Sequence, residues 1–145
     1  MGMYTELNIG VEFKEDIPSE VVEVLEAMTG DVNLSIETSI DHPLFKTSRW
    51  RWMLHLDSYS FDAIPCCKFE FDDISSTYFL TSISNLKNYE SEIELFLHFI
   101  APYLRYSTKT FIGYKRHEED EEPTLLYADG KSYSEWCLQD RKDQE

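Results

Sequence analysis

The sequence contains little glycine and none of the glycine-rich patterns that bind phosphate. Only five of its 145 residues are glycine. Phosphate-binding loops and dinucleotide-binding folds need closely spaced glycines, because the backbone itself must approach the ligand. The serine motifs of the familiar nucleophilic hydrolases are also missing. The sequence therefore argues against enzymes of these common types, and we expect no catalytic residue and no cofactor.

Cysteine and long apolar segments are scarce too. Cys66, Cys67 and Cys137 are odd in number and two of them are adjacent, which does not suit a disulfide framework and predicts reduced thiols. No apolar run approaches the roughly 20 residues that span a bilayer, and the first residues lack the pattern of a signal peptide. These features predict a cytoplasmic protein that does not contact a membrane.

Positively charged residues are also few in this sequence. The chain has 13 lysines and arginines against 28 aspartates and glutamates, giving a formal net charge of −15. Such a surplus opposes direct binding to nucleic acid, so any charged partner should be a basic protein. Acidity is also an ordinary means of staying soluble, and both interpretations remain open. If the acids collect on one side, they would imitate the charge of DNA.

Metal-binding patterns are missing as well. The two adjacent cysteines do not form a CxxC pair, and no histidine has the spacing of a local zinc site, so we predict no metal site. Asp72 and Asp73, with Asp57 and Asp62 upstream, have the ligand chemistry of a hard cation site. Adjacent aspartates after a strand more often begin a turn. The histidines are His42, His55, His98 and His117.

The most regular pattern lies in residues 88–104 and predicts a long helix that is covered on more than one side. Asn88 is suited to cap its first turn, and Pro102 should end or kink it. The predicted buried face consists of Ile93, Phe96, Leu97, Ile100 and Leu104.

A shorter helix of about eleven residues is predicted between Asp16 and Gly30, with Gly30 as a left-handed stop. Strict alternation predicts a first strand with Glu6 and Glu12 on its solvent face. Residues 48–54 fit either a strand or a helix. The strands are predicted at residues 3–14, 68–72, 77–84, 110–116 and 124–128, with a weak strand at 33–36 and a last one at 131–133 after the Asp129-Gly130 turn.

This order of elements predicts an α+β fold, in which two helices pack on one face of an antiparallel sheet of about five to six strands. The other face of the sheet would stay exposed. We expect one domain over residues 1–138, followed by a frayed polar tail at 139–145.

Two segments are candidate binding sites. The acids between the predicted fourth and fifth strands form either a solvated hairpin tip or an arm that inserts into a basic groove, together with Glu6 and Glu12. The other segment mixes arginine with tryptophan, which suits a ligand pocket, although packing of the tryptophans is the plainer interpretation. The residues are Glu118, Glu119, Asp120, Glu121 and Glu122 in the first segment, and Arg49, Trp50, Arg51 and Trp52 in the second.

Three strings carry a resemblance: HPLFKTSRWRWM at residues 42–53, NLKNYE at 85–90 and IGY at 112–114. With them the chain resembles a group of small phage and prophage proteins of no assigned activity, over residues 3–127. The resemblance implies no catalytic residues. It implies a context in the host cytoplasm, where small acidic phage proteins often act stoichiometrically on host machinery, including as anti-defence inhibitors that occupy nucleic-acid grooves.

The leading hypothesis is therefore a non-enzymatic accessory protein that binds a basic host protein, such as a nucleic-acid-binding defence protein. A second hypothesis is a small-molecule-binding protein with its pocket near Trp50 and Trp52, forming a homodimer or larger oligomer through exposed sheet edges. A third is a metal-dependent hydrolase that uses Asp72, Asp73 and scattered histidines.

Overall fold

The first strand lies in the interior of the sheet and organises the fold. The computed structural model describes residues 3–30, 38–58 and 64–137. Strand β1 (Thr5–Glu12) pairs antiparallel with β3 (Thr77–Leu86) on one side and with β4 (Thr110–His117) on the other. Strands β2 (Cys66–Asp72), β5 (Thr124–Ala128) and β6 (Tyr133–Trp136) complete a six-stranded antiparallel sheet in the order β2-β3-β1-β4-β5-β6. The strand predictions for residues 68–72, 77–84, 110–116 and 124–128 are thus confirmed.

Two α-helices cover one face of this sheet. Helix α1 (Ser19–Thr29) and helix α2 (Glu92–Ile100) bury their apolar sides in one cluster with Leu7, Ile9 and Val11 of β1. Leu7 and Ile9 are at most 1% exposed. This arrangement of two helices on an antiparallel sheet confirms the α+β prediction. The alternation of β1 separates the core face of the sheet from its outer face. No helix in the described ranges is long and apolar enough to cross a membrane.

Helix α2 begins four residues later than predicted. Asn88 and Ser91 have φ angles of 53° and 58°, which an α-helix of L-residues does not tolerate. Asn88 nevertheless accepts a hydrogen bond from the Ile93 backbone N–H at 2.9 Å, and therefore satisfies a donor of the first turn. At Ala101–Tyr103 the chain tightens into a 3₁₀ turn containing Pro102, as expected for a proline at a helix end.

The structure differs from the sequence predictions at three places. Gly30 ends α1 with φ −94°, so it is not a left-handed stop. The last strand begins at Tyr133, because the Asp129 carboxylate accepts hydrogen bonds from the Lys131 and Ser132 backbone N–H groups and holds those residues in a turn. Residues 48–54 are neither strand nor helix but a series of turns, after a short 3₁₀ helix at Pro43–Lys46. The predicted strand at 33–36 and the predicted tail at 139–145 lie outside the described residues.

The outer face of the sheet is not uniformly exposed. Gly10 and Phe79 are exposed there, as predicted, but Asn85 is fully buried and Glu6 is only 3% exposed. These last two residues are paired across β1 and β3. The prediction of a solvated outer face is therefore wrong at this end of the sheet.

Candidate functional site

The acidic turn between β4 and β5, residues 118–122, is anchored at its first residue. The Glu118 backbone N–H donates to the Tyr4 carbonyl at 2.9 Å, and the Tyr4 N–H donates to the Glu118 carboxylate at 3.2 Å. The Asp120 N–H donates to the His117 carbonyl and the Glu119 N–H to His117 Nδ1. These bonds hold the turn in a defined conformation. Its remaining acids are exposed, namely Glu119, Asp120, Glu121 and Glu122.

Glu6 and Glu12, predicted to share a surface with this turn, do not do so. Glu6 is buried, and its carboxylate lies against Tyr114, whose pKa is raised by burial and further by that carboxylate. Glu12 lies at the opposite end of β1, where its carboxylate accepts from Arg105 and from the Thr77 hydroxyl, both at 2.8 Å. The two residues are six positions apart on a strand, or about 20 Å. Neither presents a free charge beside the turn.

A polar cavity of about 210 Å³ lies beneath the acidic turn. It opens where β1 begins, β4 ends, β5 begins and α2 takes its first turn, so four elements contribute side chains. Its lining consists of Thr5, Asn88, Glu94, Lys115, His117, Asp120 and Thr124. Because Asp120 belongs to the turn and also lines the cavity, turn and cavity form one continuous surface.

Lys115 is the central cation of this surface. It lies opposite Leu7 in the register of β4 with β1, and therefore on the core face of the sheet. Its ammonium donates to Glu94 at 3.0 Å and to Glu135 of β6 at 2.8 Å. Burial alone would lower the pKa of Lys115, but the hydrogen bonds to Glu135 and Glu94 outweigh burial and raise it. The lysine is thus a permanently charged bridge between two acids.

The two acids are themselves held by neutral partners. Burial alone would raise the pKa of Glu94, but hydrogen bonds from Asn88 and Lys115 outweigh burial and lower it. The Asn88 amide reaches both carboxylate oxygens of Glu94, at 3.2 and 3.0 Å. Tyr133 donates its hydroxyl to Glu135 at 3.2 Å, and its pKa is raised by burial and by that carboxylate. The lowered pKa of Glu94 and the raised pKa of Lys115 therefore both favour the charged ion pair at neutral pH.

The cavity carries a negative charge even with Lys115 in place. Glu94, Glu135 and Asp120 supply three carboxylates in and beside it, and Lys115 supplies one ammonium. With His117 neutral, the formal charge is −2. Such a site attracts cations and repels anions.

A β-bulge explains why the sequence pattern does not reveal Lys115. The pairing of β4 with β5 shifts register between Phe111 and Gly113. In a regular strand Lys115 would face the same side as Phe111, which is outward and 54% exposed. The extra residue of the bulge reverses this and turns the lysine inward. The available signal was the pair of adjacent cations, Lys115 and Arg116, at the end of this strand. Alternation alone assigns Lys115 to the wrong face.

The tryptophan segment, the predicted ligand pocket, places its two indole rings differently. Trp50 is 8% exposed and packs edge-to-face against Phe45 at 4.8 Å. Trp52 is 39% exposed, with the Arg51 guanidinium 5.6 Å from its ring centroid. Arg49 is exposed, and its charge helps to lower the pKa of Glu90 after the hydrogen bonds from Ser48. The two tryptophans therefore lie in different environments, one in the core and one on the surface.

A second concave surface lies on the outer face of the sheet near its β6 edge. It encloses about 470 Å³ and is lined by Lys109, Leu125, Tyr127 and Trp136. The Lys109 ammonium is 4.9 Å from the Tyr127 ring centroid, a cation–π geometry. This groove is mainly apolar, unlike the cavity beneath the acidic turn.

No family model, curated protein or solved structure matches the chain. Function is therefore inferred from the geometry of these sites. Within the described ranges no group of three or more histidine, cysteine or acidic side chains is placed to hold a metal ion. Asp72 forms a turn instead, accepting from the Ile74 N–H at 3.1 Å and the Ser75 hydroxyl at 3.0 Å. Asp62 lies outside the described residues.

Proposed function

We propose that this protein is a non-enzymatic accessory protein that binds a basic protein partner stoichiometrically through the acidic turn. The observation that carries this proposal is the position of the four exposed acids at residues 119–122. One of them, Asp120, lines a cavity of the same charge sign, and none of the four forms an ion pair with a cation of the described residues. A surface of this kind leaves its charge available for a partner.

The partner fits the class of nucleic-acid-binding proteins. Their phosphate-binding grooves collect lysine and arginine, and an acidic turn competes with nucleic acid for the same positive surface. The phage context implied by the sequence resemblance makes a host defence protein the first candidate. Binding of the partner should then exclude its nucleic acid, and the complex should weaken as salt screens the charges.

A pull-down from host lysate with two charge-matched variants tests the proposal. In the turn variant, Glu119→Gln, Asp120→Asn, Glu121→Gln and Glu122→Gln remove four charges. In the control variant, Glu15→Gln, Glu20→Gln, Glu23→Gln and Glu26→Gln remove four exposed charges in and before α1. We expect the turn variant to lose the partner and the control to retain it.

Equal loss in the two variants would mean that total charge, and not the turn, holds the partner. Retention by both would refute the proposal. Recovery of a partner that is not basic, or a complex that survives 1 M salt unchanged, would also count against it, because the Debye length there is only about 3 Å.

A second candidate function, binding of a small molecule, is favoured by the outer groove. Its volume of about 470 Å³ falls within the range of roughly 300–1,000 Å³ that is typical of ligand sites, and aromatic side chains line it. Native mass spectrometry of the purified protein tests this function. An additional mass from a bound ligand that is lost in the Trp136→Ala variant would support this function. Detection of only the mass of the protein itself after mild extraction would count against it.

A further inference from the structure

We propose that the cavity beneath the acidic turn is a recognition pocket for a single organic cation, and that its occupant is a lysine or arginine side chain of the basic partner. The source of that side chain rests on the proposed function. The pocket itself rests on the volume, charge and unused hydrogen-bonding groups of the cavity.

The volume of the cavity suits one side chain. The cavity measures about 210 Å³. This is below the range of roughly 300–1,000 Å³ that accommodates a nucleotide or drug-sized ligand. A lysine or arginine side chain, with an apolar stem and a charged end, matches the available space.

The charge of the cavity selects a cation. Lys115 is already shared between Glu94 and Glu135, so it does not neutralise Asp120. Asp120 is the carboxylate in the lining that lacks a side-chain partner within the described ranges. An incoming ammonium or guanidinium would therefore interact with Asp120 first, with the surrounding acids of the turn adding longer-range attraction.

An unused hydroxyl indicates that the cavity is built for a polar guest. Thr5 is 7% exposed and lines the cavity, but its hydroxyl has no hydrogen-bond partner among the described residues. Because the hydroxyl oxygen is not sealed from the water of the cavity, a bound donor would replace water as its hydrogen-bond partner. Thr124 lines the same cavity and offers a second hydroxyl oxygen. Ammonium and guanidinium groups donate several hydrogen bonds and accept none, which matches these acceptors.

The test uses purified protein and small probes, so it does not depend on knowing the partner. N-acetyl-lysine methylamide and N-acetyl-arginine methylamide are titrated into the ¹⁵N-labelled protein, with the norleucine analogue as the uncharged control. We expect saturable shifts of the Thr5, Asn88, Lys115 and Thr124 amide signals, with dissociation constants on the order of a few mM for such small ligands. Norleucine should give no saturable shift.

Three substitutions separate the pocket from the general acidity of the turn. Asp120→Asn should weaken binding of the charged probes about tenfold, and Thr5→Val, which keeps the shape of the side chain, about threefold. Glu121→Gln removes one charge from the same turn without touching the cavity lining, and should weaken binding less than twofold. Spectra of each variant without probe verify that the fold is retained.

Two results would overturn the pocket: norleucine binding as well as lysine, or Asp120→Asn and Glu121→Gln weakening the probes equally. Either result leaves the proposed function standing if the turn variant still loses the partner in the pull-down. Conversely, if no basic partner is captured but the probes bind with the expected variant pattern, the pocket stands and the proposed function fails.

Discussion

At the scale of single residues, Lys115 decides the character of the candidate site. A cation on the core face of a strand is costly unless it is paired, and here two carboxylates and a partly buried position fix its place. The pKa of Lys115 is raised and that of Glu94 is lowered. This pair therefore contributes its full stabilisation between the ordinary pKa values of the two groups, about 4.5 and 10.5. The stabilisation is lost as the pH falls from 4.5 through the lowered pKa of Glu94, or rises from 10.5 through the raised pKa of Lys115.

Replacing Lys115 with methionine keeps the length of the side chain and removes the charge. We expect the free energy of unfolding to fall by about 1–3 kcal/mol, because Glu94 and Glu135 lose their shared partner while partly buried. Urea denaturation at pH 7 measures the loss. Adding Glu94→Gln to the variant should recover part of it, and a double variant less stable than Lys115→Met alone would contradict the interpretation.

His42 and His98 form a second titratable pair, away from the cavity. His42 Nδ1 accepts from the Leu44 N–H at 3.1 Å, so its proton lies on Nε2, which faces His98 Nδ1 at 3.1 Å. A proton added to His42 must therefore go to Nδ1, where it breaks the hydrogen bond from the Leu44 N–H. Burial and the neighbouring His98 lower the pKa of His42 below its ordinary value of 6.5, against the opposing effect of Asp41.

The sign of this shift predicts a loss of stability in acid. Since the unfolded chain takes up the proton more readily than the folded one, the free energy of unfolding should fall as the pH drops below about 6.5 and level off below the folded pKa. The substitution His42→Asn keeps a side-chain acceptor for the Leu44 N–H but removes the group that takes up a proton in this pH range. Denaturation at pH 7.5 and 5.5 should show a smaller decrease in this variant than in the natural chain. An equal decrease would mean that other groups cause the acid sensitivity.

At the scale of elements, the pairing of β1 with β4 depends on one glycine. Gly113 has φ +149°, and a Cβ built on it would lie 2.0 Å from the Asn8 carbonyl oxygen. A side chain there must separate the two strands, since the obstacle is backbone. The same residue follows the bulge that turns Lys115 inward, so the glycine supports both the sheet and the cavity.

Two glycine-to-alanine substitutions make a matched test of this dependence. Gly113→Ala should lower the free energy of unfolding by about 3 kcal/mol or more, because steric overlap adds to an unfavourable φ. Gly10→Ala on β1 has open space around the new Cβ and should change stability by less than about 1 kcal/mol. Thermal unfolding followed by circular dichroism compares them. Similar melting temperatures would show that β1 and β4 do not require glycine at position 113.

At the scale of the whole molecule, the charge surplus is distributed over several surfaces. Helix α1 carries three exposed acids on its solvent side, Glu20, Glu23 and Glu26, with no basic residue in its last turn. The acidic turn lies at the end of the sheet where β1 begins. Self-repulsion among such groups destabilises the compact state.

Salt should therefore stabilise the fold while it weakens the partner complex. Raising NaCl from about 0.05 to 0.5 M screens charges beyond a few ångströms, and we expect the melting temperature to increase. The control is a variant with Glu20→Gln, Glu23→Gln and Glu26→Gln, which should respond less. A melting temperature that falls with salt would show that attractive ion pairs outweigh repulsion in the native state.

The sequence by itself determined the elements that depend on local periodicity. The buried face of α2 and the alternation of β1 follow from the spacing of apolar residues, because each is a period that one element repeats along its own length. The first and last residues of α2 were predicted less accurately from the sequence. Left-handed residues at Asn88 and Ser91 delay its start, and no composition signal separates a capping asparagine from a helical one.

Only the tertiary structure decided which charges remain available. The sequence pattern does not distinguish Glu6 from Glu118. In the structure Glu6 is buried in the sheet, whereas Glu118 borders an exposed turn. The cavity joins Thr5, Asn88, Lys115 and Asp120, which are far apart in sequence and meet because two antiparallel pairings and a helix converge at one end of the sheet. Periodicity describes one element at a time, whereas burial and charge pairing depend on which elements become neighbours.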